Sequence, residues 1–149
     1  LVFTAAMLKD IGKVVLSQHV TPKYAEIRQL VAGGHSFREA ELTVLGIDHA
    51  ELGAMVAQVW QFGPKLVSMI RCHHLPLQCK AAPQEAAAVY MGDLLSMMLG
   101  VGVGADGLAY RFQQEVVDLL ELTETDMQLL LADGEGLLAD AEKLSTPHR

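Results

Sequence analysis

Five side chains of metal-binding type, and two ammonium groups beside one of them, occupy positions that helical periodicity places at cores or helix ends. The segment MLKDIGK sets Lys9, Asp10 and Lys13 inside an otherwise apolar run. At about 100° per residue, Asp10 falls beside Phe3, Met7 and Val14, on the flank of the stripe expected to face the core. Lys9 and Lys13 follow on its polar side, so the three line one edge of the helix. His49 shares a face with Leu52, Gly53, Val56 and Trp60, read as the buried face of its helix. Gly53 removes a side chain one turn from the imidazole and so admits a close neighbour. His73 and His74 end a helix. Asp93, in AAAVYMGDLLSMM, shares a face with Ala86, Val89, Tyr90 and Met97. A carboxylate so placed must be paired, bound to a cation or protonated, because a lone buried charge is very costly. Each residue has an ordinary explanation by itself: a surface ion pair, a core histidine on a carbonyl, a helix-end cap, a hydrogen bond to tyrosine. Together, Asp10, His49, His73, His74 and Asp93 come from four helices, and imidazole with carboxylate suits a divalent transition metal. A helical bundle builds such sites from inward side chains on facing helices.

The elements that must position them are helices. Strand-like alternation is absent, and the apolar pattern has the helical period nearly throughout. One helix is expected from about Leu1 to Gln18 and another from Pro22 to Ala32, stopped by Gly33-Gly34. Ser36-Phe37-Arg38-Glu39 has the capping-box pattern and starts a short helix ending near Gly46. Asp48-His49-Ala50-Glu51 opens a helix to about Gln61. Gly63-Pro64 starts the next, since proline fits a first helical turn, and it runs to His73 or His74. Pro76 and Pro83 bracket a loop. The helix from about Pro83 to Leu99 is apolar on nearly every side and should be central. Two more are expected near Leu108–Leu120 and Thr123–Leu144. Residues 1–100 are expected to form the C-terminal portion of a helical domain, with the trailing helices of 101–149 packed on the same domain.

The totals narrow the function. A chain of 149 residues, 51% apolar, can bury a real core. No stretch reaches the roughly 18 uncharged apolar residues of a spanning helix, so no membrane role is expected. A net charge of −7 disfavours nucleic acid, because no basic patch meets phosphates. Two cysteines make no disulfide framework and suit a reducing cytoplasm. The chain opens inside an apolar run without an initiator methionine, which reads as part of a longer protein.

The residues carry a resemblance. LKDIGKVVL resembles the HDIGK segment of HD-superfamily phosphohydrolases. GIDHAELGAMVAQVWQFGPKLVSMIRCHHLP closely resembles the HDOD branch, the metal-dependent hydrolase-related output domain, through Asp48 to Ala54, Trp60, Pro64, Ile70, His73-His74 and Pro76, followed by Asp93. The likeness spans about Ala6 to Leu99. It implies an all-α, HD-like helical bundle. It further implies that Asp10, His49, His73, His74 and Asp93 stand at metal-ligand positions, and that Lys13 stands where active relatives contact substrate phosphate. The departure is Lys9, at the first position of the His-Asp dyad. An ammonium has no lone pair and cannot ligate while charged. The GYP extension of cyclic-dinucleotide phosphodiesterases is also absent, since Leu75-Pro76 follows His74.

Two function classes follow. One is a non-catalytic bacterial signalling output domain with a degenerate metal site, in which Lys9 neutralises carboxylates that once faced an ion. The other is a metal-dependent phosphohydrolase using the remaining ligands. Resident metal is not expected in the first, whereas the second needs a divalent ion such as Mn, Fe, Mg or Zn. Partners expected are a protein or an attached signalling domain, with a small nucleotide or a second copy of the chain as further candidates. Two motifs read as decoys. Gly102-Val103-Gly104-Ala105-Asp106-Gly107 spells a dinucleotide fingerprint but follows a helix rather than a strand. Cys72, His73, His74 and Cys79 are zinc-type ligands without zinc-site spacing.

Overall fold

The computed structural model describes residues 1–19, 21–101 and 112–145, and among these it is all-α, with no strand. The helices are α1 (Val2–Leu8), α2 (Ile11–His19), α3 (Tyr24–Ala32), α4 (Phe37–Leu45), α5 (His49–Val59), α6 (Pro64–Cys72), α7 (Pro83–Met98), α8 (Gln114–Leu119) and α9 (Glu124–Ser145). Short 3-10 turns at Thr21–Lys23 and Pro76–Gln78 join them. The fingerprint at Gly102–Gly107 and the start of the helix expected from Leu108 lie outside the described residues.

Local chemistry sets most of the boundaries. Ser36 accepts from the Glu39 backbone N–H, and the Glu39 carboxylate accepts from the Ser36 N–H, the reciprocal pair of a capping box. Gly46 ends α4 with φ +73°, a left-handed conformation that glycine adopts without strain. Asp48 caps α5 by accepting from the Glu51 N–H at 2.8 Å. Pro64 and Pro83 stand in the first turns of α6 and α7. Replacing Ser36 with alanine should lower stability by about 1 kcal/mol, read from the urea midpoint at unchanged m-value.

The first helix departs from expectation. The run expected to continue from Leu1 to Gln18 is interrupted at Lys9-Asp10, where the Lys13 N–H reaches back only three residues to the Asp10 carbonyl. The two halves pack on different partners, α1 against α6 and α7, and α2 against α5. The buried face also differs. Ala5 is buried, with Val2 and Leu8 packed on the same core, whereas Phe3, Met7 and Val14 are exposed. Trp60 is likewise exposed, and the buried face of α5 is His49, Ala50, Gly53, Ala54 and Ala57.

The largest core joins Ala5, Ala54, Ala57, Val67, Met69 and Ile70 to Ala86 and Val89 of α7. On the other side of α7, Ala87, Tyr90, Met91 and Leu94 pack with Val116 and Val117 of α8. The small residues at the crossing of α2 and α5 permit a backbone-to-backbone approach. A Cβ on Gly12 would stand 2.0 Å from the His49 carbonyl oxygen, and one on Gly53 would stand 3.4 Å from the Gly12 nitrogen. The neighbour admitted by Gly53 is therefore the start of α2, immediately after Lys9 and Asp10.

Candidate functional site

The interruption between α1 and α2, the start of α5, the end of α6 and the middle of α7 meet in one polar cluster. Asp10 and Asp93 are bridged by Lys9, whose ammonium contacts Asp10 Oδ2 directly and Asp93 Oδ1 at 2.8 Å. Lys13 pairs with the other Asp10 oxygen at 2.9 Å. His49 Nε2 lies 3.6 Å from that same oxygen and 2.8 Å from His74 Nε2. The His73 ring centroid is 4.0 Å from that of His74 and 5.4 Å from that of His49. All the groups singled out in the sequence are thus brought together.

The hydrogen bonds fix the imidazoles. His73 Nδ1 donates to the Ile70 carbonyl at 2.7 Å, which leaves its Nε2 a bare lone pair, buried and without a partner among the described residues. His49 Nδ1 is 2.5 Å from Glu41 Oε2, so the proton sits on Nδ1 and Nε2 points into the cluster. Burial lowers the pKa of His73 to about 4. Burial first, then the neighbouring His73 and His49, holds His74 well below the imidazole range. Both rings are therefore neutral, the form that binds metal.

Charge is balanced on the opposite side. Burial alone would raise Asp10, but Lys13 and Lys9 outweigh it and hold the carboxyl well below its usual range. Burial would lower Lys9, and Asp10 and Asp93 outweigh it to keep the ammonium charged.

The cluster therefore has two parts with different aptitudes. One ring nitrogen from each of His49, His73 and His74 lies within 4.8 Å of the other two, and the buried His73 Nε2 offers a lone pair with no partner among the described residues. Three imidazoles of this kind fit one divalent ion, which when bound would polarise a water or a phosphoryl oxygen. Asp10 and Asp93 do not fit the same role, because an ammonium already occupies the space between them. Neither cysteine joins the imidazole group. Cys79 is buried in the main core, and burial, then Cys79, raises the Cys72 thiol to about 11, away from the thiolate that zinc needs.

Glu41 escaped the sequence reading. It is buried on α4 and takes both the backbone N–H and the Nδ1–H of His49 on one oxygen, at 2.8 and 2.5 Å. Its signal was present: Glu41 lies four residues after Phe37 and three before Val44, on the apolar face of α4. A carboxylate on that face demands a partner for the same reason as Asp93.

The profile of the HDOD domain family matches residues 1–76, just over half of the chain, so Asp93 lies beyond the matched segment. A solved structure, named "Putative phosphohydrolase" from Shewanella amazonensis SB2B, is 25% identical with a TM-score of 0.59. The alignment covers 79% of this chain and 49% of that one, so the chain spans about half the length of that protein. A search of curated proteins finds no match.

Proposed function

Because the chain belongs to the HDOD domain family, we propose that it works as a non-catalytic output domain of bacterial signalling, engaging a protein partner or an attached signalling domain. The observation that carries this reading is the Lys9 ammonium seated on both Asp10 and Asp93. In that position it supplies permanently the positive charge that a cation would otherwise bring. It also repels any ion approaching the carboxylate side, so the cluster holds the helices together without a metal-activated water.

The test is metal content. After dialysis the unmutated chain should hold tight metal only substoichiometrically. Lys9→His, which exchanges the ammonium for a ring with a lone pair and frees both carboxylates, should raise tightly bound Mn, Fe or Zn toward a stoichiometric amount. Stoichiometric tight metal in the unmutated chain would overturn this reading.

One observation favours a second reading, a metal-dependent phosphohydrolase. The orphaned His73 Nε2, beside His49 and His74, is a ready ligand set, and the partly exposed Lys13 ammonium is placed to meet a phosphate. That reading requires turnover of a phosphodiester or nucleotide with added Mn²⁺, Mg²⁺ or Fe²⁺. The turnover must be lost in both His49→Ala and Asp93→Ala while the variants remain folded.

A further inference from the structure

Helix α9 is apolar on more of its surface than the bundle covers. Met127 packs on the core between α7 and α8, and a Cβ on Gly134 would stand 2.5 Å from Leu99 Cδ1, which marks the covered side. Leu131 and Leu138 fall on that side by helical spacing and are half-buried. Leu130 and Leu137 lie beside it and are exposed, Leu137 to 72%. These two stand seven residues apart. Asp126 and Asp133 come four residues before them, and Asp140 continues that row at the same interval. Residues four apart are neighbours on a helix surface, and seven residues rise about 10.5 Å, so the leucines and the aspartates form two parallel rows. Asp133 and Asp140 are exposed, and Asp126 is partly so. The whole helix has six carboxylates and one ammonium. That ammonium, Lys143, is 2.8 Å from Asp140, but both side chains are about three-quarters exposed, and such a pair is worth little in water.

We propose that this face docks an amphipathic helix of another protein, one that sets apolar side chains on Leu130 and Leu137 and a row of Lys or Arg on the aspartates. The inference names the kind of partner for the output domain proposed above and rests on that reading. A helix suits both rows because its own side chains return to one face every seven residues, so a single register serves the whole length. Apolar contact supplies the affinity, and the flanking charges select the partner and its orientation. The same charges exclude a second copy of this chain. Another α9 brings a further acidic row, and no two Lys or Arg anywhere in the sequence stand seven residues apart. The basic row therefore has to come from a different protein.

The experiment is calorimetric titration of the 149-residue chain with synthetic peptides of about four heptads, with amide resonances mapping the location. The first peptide has leucine along one seam and lysine beside it. The second replaces each lysine with glutamate, and the third scrambles the first so that the seven-residue repeat is lost. The first should bind saturably, shift resonances of α9 and weaken as salt is raised. The other two should bind about tenfold or more weaker. Leu137→Gln changes an exposed side chain, so the urea midpoint should hold while the first peptide loses about tenfold. Asp133→Lys should weaken the lysine peptide and strengthen the glutamate one, each by about threefold or more. The proposal falls if the lysine peptide does not bind, if the scrambled peptide binds as well, if the shifts lie away from α9, or if either variant leaves the affinities unchanged. It falls also if sedimentation shows a dimer of the unmutated chain that Leu137→Gln dissociates, since the face then belongs to a second copy. Metal content is the same in every arm, so a failure here is separable from a failure of the output-domain reading.

Discussion

Gly12→Ala is expected to cost about 4 kcal/mol or more, above the usual range for an added core methyl. The new Cβ would stand 2.0 Å from the His49 carbonyl oxygen, 2.8 Å from its carbon and 2.9 Å from the Gly53 nitrogen. All three are backbone atoms, so no rotamer change relieves the overlap. The start of α2 must move off the start of α5, and neither is loose: Gly12 is buried, and α5 is anchored by its Asp48 cap and by Glu41 on His49. Typical total stability is about 5–15 kcal/mol, so the loss should bring the unfolding midpoint down steeply. Gly136→Ala is the control. It lies on an exposed part of α9 with nothing within 4 Å of the added methyl, and it should gain up to about 1 kcal/mol from helix propensity alone. A loss under about 1 kcal/mol for Gly12→Ala would mean that α2 and α5 do not meet backbone to backbone. The site is affected with the fold, because Lys9 and Asp10 immediately precede α2 and His49 opens α5.

Glu41→Ala should cost about 3 kcal/mol, because it strands two buried donors at once, each worth about 1–3 kcal/mol when unpaired. One is the His49 backbone N–H, among the free donors of the first turn of α5, and the other is the His49 Nδ1–H. Loss of the side-chain volume adds to the penalty. Glu41→Gln should cost clearly less, since an amide oxygen can accept both bonds in the same place. Urea titrations of the two variants separate the roles. Equal losses would show that the carboxylate's charge, and not its acceptor oxygen, sustains the site. In Glu41→Ala the His49 ring also loses the bond that sets its tautomer, so metal uptake engineered by Lys9→His should fail when the two changes are combined.

The sequence by itself determined what short-range chemistry controls. The capping box at Ser36 and Glu39, the Asp48 cap, the left-handed Gly46 and the prolines opening α6 and α7 act within one turn of chain, so their residues mark the ends wherever the helices later pack. The polar groups that meet, Lys9, Asp10, His49, His73, His74 and Asp93, were also legible, because a charge or imidazole on an apolar helix demands a partner. Tertiary structure alone decided how the first helix is used. The segment VFTAAML is apolar on almost every side, so periodicity offers several equivalent stripes and cannot choose among them. Packing on α6 and α7 selected Ala5 and left Phe3 and Met7 outside. The break at Lys9-Asp10 has the same origin, since two halves with different partners cannot share one straight axis. That break sets a lysine between carboxylates from two distant helices. Whether an ammonium lies idle at a surface edge or takes a cation's place depends on the approach of α7, which no local pattern encodes.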